Sequence, residues 1–302
     1  MKRLSILAAT AAAFVMAGTG TAFAQVSGGA SAQQQAPQLE RIDGKPNFNG
    51  VWQVMNTANW NLEPHSAGPN PVADRQVGAT AAIPPGLGVV EGGAIPYKPE
   101  ALERLNRHKA NLITHDPEAA CYLPGIPRAT YLPYPFQIVQ GGNDDILMVY
   151  EYANANRVIE MRDVEVPPID TWMGTSFGRW DGDTLVVVTL SQGPGEVKLP
   201  GGVMEPNGVT WLDRAGNYLS PTATVTERFT KMGDNHIQYS ATIEDPELYT
   251  RAWTISMPLY RRMEPNAQLL EFRCVPFSEM LLYGDLLEEG ATPATPPAEA
   301  AE

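Results

Sequence analysis

Short alternating runs broken by tight turns constrain this chain more than any other feature. Residues 175–180 and 184–190 flank Asp181-Gly182-Asp183, and Asp-Gly between two such runs is the strongest short-range hairpin signal. Residues 225–230 and 237–243 flank Gly233-Asp234-Asn235 in the same way. Residues 136–140 and 146–152 flank Gly141-Gly142-Asn143-Asp144-Asp145, and 157–162 follows a turn at Asn154 and Asn156. Runs at 48–54, 253–259 and 269–273 complete nine or ten predicted strands, nearly all joined to sequence neighbours. That local order predicts an antiparallel up-and-down β-barrel, since closure removes exposed edges, and a barrel of this size holds one small ligand. Composition agrees: the 302 residues include 27 Gly and 27 Pro, which disfavours a helical bundle. One helix is predicted, over 99–113, with Pro99 at its first position and Glu100 and Glu103 complementing its N-terminus. Residues 60–93 and 191–208 read as long Gly/Pro-rich loops.

The ends of the chain read differently. Lys2 and Arg3, the apolar run 4–17 and Ala22-Phe23-Ala24 form the pattern of a signal peptide, predicting cleavage near Ala24 and a periplasmic or secreted product. Residues 25–38 read as a flexible leader, 39–283 as a single barrel domain, and 284–302 as an acidic disordered tail. The net charge of −13 argues against nucleic acid, and no later run is long enough to insert in a membrane. Five acids lie in the C-terminal stretch (Asp285, Glu288, Glu289, Glu299 and Glu302), so the acidity says little about a ligand. The oligomeric state is open. Cys121 and Cys274 are the only cysteines. In an oxidising compartment they are expected to pair, and closing a loop of about 150 residues stabilises by roughly 4–5 kcal/mol in the chain-entropy model. Two unpaired buried thiols are the alternative.

Several strings resemble one family. These are Asp43-Gly44-Lys45-Pro46-Asn47-Phe48-Asn49-Gly50-Val51-Trp52, Pro124-Gly125-Ile126-Pro127-Arg128, Tyr134-Pro135-Phe136-Gln137, and the run Trp172-Met173-Gly174-Thr175-Ser176-Phe177-Gly178-Arg179-Trp180-Asp181-Gly182-Asp183-Thr184-Leu185-Val186-Val187. They are similar to a group of uncharacterised secreted proteins of Gram-negative bacteria with a W-M-G-H-S-x-G-R-W-E/D-G-D-T-L-V-V signature. The resemblance covers roughly residues 42–275. It implies a lipocalin-like, calycin-type barrel and no established activity. Thr175 stands where the signature has His, and Val188 where it continues with Asp, which suggests a changed ligand or changed chemistry.

Candidate site residues follow from chemistry. Glu151 is a lone carboxylate in an otherwise apolar predicted strand, and a buried carboxylate must be paired or neutralised, either state being usable for proton transfer. An ordinary ion pair with Arg157, Arg179 or Arg228 is the competing structural account. Arg179 is a candidate clamp for an oxyanion, with Tyr150 and Tyr152 as hydrogen-bond donors to developing charge. Trp172, Ser176, Trp180 and Tyr131 are candidate pocket walls, and His65 sits in a loop able to cover a barrel mouth. Glu227 and Arg228 are adjacent on a strand, so only one of them faces inward. Aromatics on strands are otherwise ordinary core. The four His do not assemble a metal site, and no cofactor motif is present. Two readings stand. One is a cofactor-independent enzyme of lyase, isomerase or hydratase type, as in aromatic compound catabolism, acting on a small hydrophobic, chiefly aromatic, compound. The other is a periplasmic carrier or sensor that binds such a compound.

Overall fold

The computed structural model describes residues 39–69, 82–110, 115–142, 145–193, 197–198, 204–205, 209–276 and 278. The predicted signal peptide, leader and tail lie outside these residues, as do Asn143 and Asp144 of one predicted turn and most of the 191–208 loop. Nine strands close into a barrel: β1 (Gly50–Gln53), β2 (Phe136–Gln140), β3 (Ile146–Tyr150), β4 (Asn156–Glu160), β5 (Thr175–Asp181), β6 (Thr184–Leu190), β7 (Thr224–Lys231), β8 (His236–Glu244) and β9 (Trp253–Arg261). Each lies beside its sequence neighbour, and β9 closes on β1 through Tyr260↔Gln53 and Arg261↔Trp52.

The odd number corrects the expectation of a purely antiparallel barrel. Strands that alternate in direction around a ring close without conflict only when their count is even, so nine strands must include a parallel pair. That pair is β4–β5, joined by two register positions, Ile159↔Ser176 and Glu160↔Phe177. All other neighbours are antiparallel. Parallel strands need a crossover rather than a hairpin, and residues 161–174 supply it. Gly174 ends the crossover at φ +65°, where a Cβ would lie 2.5 Å from the Leu190 carbonyl oxygen, so both conformation and space call for glycine.

Alternation sets the inside of the barrel. Phe136, Ile138 and Gln140 point inward from β2, Ile146, Met148 and Tyr150 from β3, and Arg157 and Ile159 from β4. From β7 to β9 the inward positions include Val225, Glu227, Phe229, Ile237, Tyr239, Ala241, Ile243, Trp253, Ile255, Met257 and Leu259, all buried. Around Trp52 the interior is packed with Phe48 and Trp180, and the Trp52 indole N–H donates to the Phe48 carbonyl at 2.9 Å. Lys231 Nζ lies 5.0 Å from the Trp52 ring centre, a cation–π contact.

Three predicted elements end differently. The strand expected over 146–152 stops at Tyr150, because Glu151 turns into helical geometry and Ala153 and Asn154 take φ of 53° and 50°. The predicted helix begins as a 3₁₀ turn, Pro99–Ala101, and continues as α1 (Leu102–Ala110), with residues 111–113 outside the described set. Residues 269–273 form no strand. They belong instead to a strap, whose Leu270 N–H donates to Glu151 Oε2 at 2.8 Å and whose Phe272 ring packs 4.9 Å from Tyr152 and 5.1 Å from Tyr134. Cys274 then joins Cys121 in the expected disulfide.

Outside the barrel, buried polar hubs hold the irregular segments. Arg128, in the short helix α2 (Arg128–Tyr131), grips Asp116 with two 2.8 Å bonds, Glu118 at 2.6 Å and Asn59 at 3.2 Å. Asp213 accepts from the backbone N–H groups of Leu62, Ala215 and Asn217 and from Asn217 Nδ2. Burial pushes its carboxyl up to about 6 against the pull of those donors.

Candidate functional site

The barrel interior, mostly apolar, holds a polar cluster around Arg157 and Glu227, apart from Gln140 and Lys231. Strand β4 reads N-R-V-I-E, so Arg157 shares the inward face with Ile159 while Asn156 and Val158 face solvent. Strand β7 places Glu227 between Val225 and Phe229 on its inward face, and β8 places Tyr239 between Ile237 and Ala241. The side chains of Arg157 and Glu227 are 2% and 0% exposed, and they meet through Nη1–Oε2 at 2.6 Å and Nη2–Oε1 at 3.2 Å. The Tyr239 hydroxyl donates to Glu227 Oε1 at 2.9 Å. Ser176 Oγ and Thr189 Oγ1 lie 3.0 Å apart, and Arg157 Nη1 makes longer contacts to both, at 3.5 and 3.4 Å. Met148 Sδ takes a 3.2 Å contact from Arg157 Nη2.

Electrostatics give each member a role. Burial opposes the charge on Arg157, but Glu227 more than offsets it and holds the guanidinium above its ordinary range. Burial first, and then Glu227, raise the Tyr239 phenol well above the usual tyrosine value, so it remains a donor. Burial likewise raises Tyr150, which lies near Arg157 and Glu227. Arg157 Nε has no hydrogen-bond partner among the described residues. A guanidinium has five N–H donors and no acceptor, so a buried donor left over calls for an acceptor from elsewhere.

A cavity reaches the same arginine. It measures about 950 Å³ and lies at the β4–β5 seam, where two register pairs join the strands. Arg157 and Ser176 line it, so it reaches the polar cluster. Leu123, Val158, Trp172 and Met173 contribute apolar surface, and Glu160 and Asp170 contribute the acids. Trp172 is stacked on Tyr122, with ring centres 4.8 Å apart and planes 12° from parallel. Because Tyr122 follows Cys121, the disulfide anchors one wall of the cavity.

The predicted site residues divide accordingly. Tyr150, Ser176 and Glu227 are in or beside the polar cluster, and Trp172 lines the cavity. Trp180 is near the polar cluster in sequence but packs instead on Phe48, with Lys45 over its ring at 5.5 Å. Arg228 faces out and pairs with Asp181 at 2.8 Å, which decides the parity that sequence left open. Arg179 is exposed on the outer face of β5, away from the polar cluster. Glu151 lies outside the barrel because β3 ends one residue before it. Tyr152 points to the Glu118 and Tyr122 carbonyls at 3.2 and 3.3 Å. Tyr131 is core, donating to the Leu212 carbonyl at 2.6 Å, and His65 bonds its own loop at the Glu63 carbonyl. Given this placement, Glu151→Gln should change unfolding free energy by no more than about 0.5 kcal/mol, as measured by urea denaturation. A larger loss would mean that its bond to the strap holds the 269–276 segment in place.

Arg157 and Tyr239 are the members that sequence reasoning missed, although a signal existed. In T-V-T-E-R-F-T-K the alternate positions Thr224, Thr226, Arg228 and Thr230 are all polar, which assigns Val225, Glu227 and Phe229 to the interior. The same parity in H-I-Q-Y-S-A-T-I-E groups Tyr239 with Ile237, Ala241 and Ile243. Among the described residues no group of three or more His, Cys, Asp and Glu is placed to hold a metal ion, and no helix is long and apolar enough to cross a membrane. No family model, curated protein or solved structure matches this chain.

Proposed function

We propose that this protein is a small-molecule-binding barrel of the periplasm or cell exterior. It takes a largely apolar compound into the β4–β5 opening and meets a hydrogen-bond acceptor of that compound with Arg157. The observation that carries this reading is a buried arginine, fixed from behind by Glu227 and Tyr239, that lines a cavity and retains an unpartnered donor. Specificity then comes from few polar groups in an apolar wall, the usual economy of such sites. The Cys121–Cys274 disulfide is in keeping with an oxidising compartment. Thr175, where the signature family has His, also lines the cavity, in keeping with a changed ligand. Screening aromatic and terpenoid compounds by intrinsic fluorescence should identify binders that report on Trp172. For these, Trp172→Leu should raise Kd about tenfold or more, since stripping an aromatic contact removes roughly 1.5–3 kcal/mol of burial. Unchanged affinity in that variant would place the ligand elsewhere.

Cofactor-independent acid/base catalysis of the lyase, isomerase or hydratase type is the second reading. One observation favours it: a carboxylate and two phenols, Glu227, Tyr239 and Tyr150, are gathered in a water-poor interior beside Arg157. Glu151 and Arg179 lie outside this group. Mass change in the same screen, abolished by Tyr239→Phe while binding persists, would support catalysis over carriage.

A further inference from the structure

Resting on the binding reading above, we infer that the site selects neutral acceptor groups (amide, ester, ketone or aldehyde oxygens) and rejects the corresponding carboxylates. Three observations combine. First, Arg157 offers only donors to the cavity, so the inner end of a ligand must present an acceptor, and an ammonium group does not satisfy it. Second, the charge of Arg157 is already matched by Glu227, whose side chain is fully buried and held by both guanidinium Nη atoms and by Tyr239. A carboxylate docking there would leave two buried negative charges against one positive charge, and an uncompensated buried ion is costly. Third, the other charged residues lining the cavity, Glu160 and Asp170, are acids. Arg162 lies 3.7 Å from Glu160 but is committed more closely to Asp145 at 2.6 Å, so the cavity's field adds to the disfavour of anions. An arginine in a pocket ordinarily reads as an anion site; here the carboxylate behind it reverses that expectation.

The test is a panel of matched pairs, each a carboxylate and its primary amide on phenyl, naphthyl, cyclohexyl and straight-chain alkyl skeletons. Binding to the mature protein is measured by fluorescence and calorimetry at pH 7, where the acids are ionised. Amides should bind at least about tenfold more tightly than their paired acids. Acids binding as tightly as, or more tightly than, amides would overturn this inference and leave the binding reading standing, whereas a panel with no binder at all would overturn both. Glu227→Gln supplies the second arm. With the resident carboxylate neutralised, the preference should invert, and the acids should raise the variant's thermal unfolding midpoint more than the amides do. A variant that still prefers amides by the wild-type ratio would show that Glu227 does not set the selectivity. The wild-type ratio decides the inference even where this variant is too unstable to purify.

Discussion

Replacing Arg157 with leucine is expected to lower unfolding free energy by about 3–5 kcal/mol, the cost of stranding one member of a buried ion pair. Glu227 would then keep a single side-chain partner, Tyr239, in a position with no exposure. The double variant Arg157→Leu, Glu227→Leu should recover most of that loss, because removing both charges also removes the desolvation penalty of both. The recovery would distinguish a pair kept for function from one that stabilises the barrel, since an apolar replacement that matches or exceeds wild-type stability leaves binding as the reason for the charges. Urea unfolding followed by tryptophan fluorescence reads all four corners of the cycle. A single-variant cost below about 1 kcal/mol would mean that water entering through the seam solvates Glu227, contrary to its burial.

Removing the disulfide should have an effect of similar size by a different route. Cys121 and Cys274 are separated by 153 positions, so the covalent loop encloses strands β2 to β9. In the chain-entropy model, losing the link in Cys121→Ser, Cys274→Ser costs on the order of 4–5 kcal/mol, because the unfolded chain gains freedom. The variant should also report at the cavity. Freed from the link, Cys121 no longer pins Tyr122 against Trp172, so affinity for any ligand found in the screen should fall along with stability. A variant with wild-type stability would indicate that the unfolded chain is already restrained by residual contacts.

Much of the architecture was legible before any coordinates. The hairpins at Asp181-Gly182-Asp183 and Gly233-Asp234-Asn235, the limits of β2 and β6, the start of the helix at Pro99 and the cysteine pairing all follow from local rules. Those features depend on turn chemistry and side-chain parity, each contained in a few neighbouring residues, and on a cysteine count that leaves one possible intramolecular pair. The site was less legible. The sequence pattern puts Glu151 on a strand that in fact ends just before it, because neither Ala153 nor Asn154 announces a left-handed conformation as Gly would. The sequence offers Arg179 as the clamp and Arg157 only as an ion-pair partner, although of the two it is Arg157 that shares a face with a buried aliphatic neighbour, Ile159.

The sequence by itself determined a closed β-barrel with an alternating interior and a disulfide, because strand period, turn residues and cysteine count are local or compositional properties. Only the tertiary structure decided that the strand count is nine, that β4 and β5 therefore run parallel, and that the seam cavity reaches Arg157 and Ser176, behind which Glu227 and Tyr239 are buried. Those four residues come from four strands spread over residues 157–239, and no local pattern encodes which of them meet. Their meeting is set by closure, which brings β4 opposite β7 and β8 across the interior and leaves Arg157 Nε without a partner among the described residues.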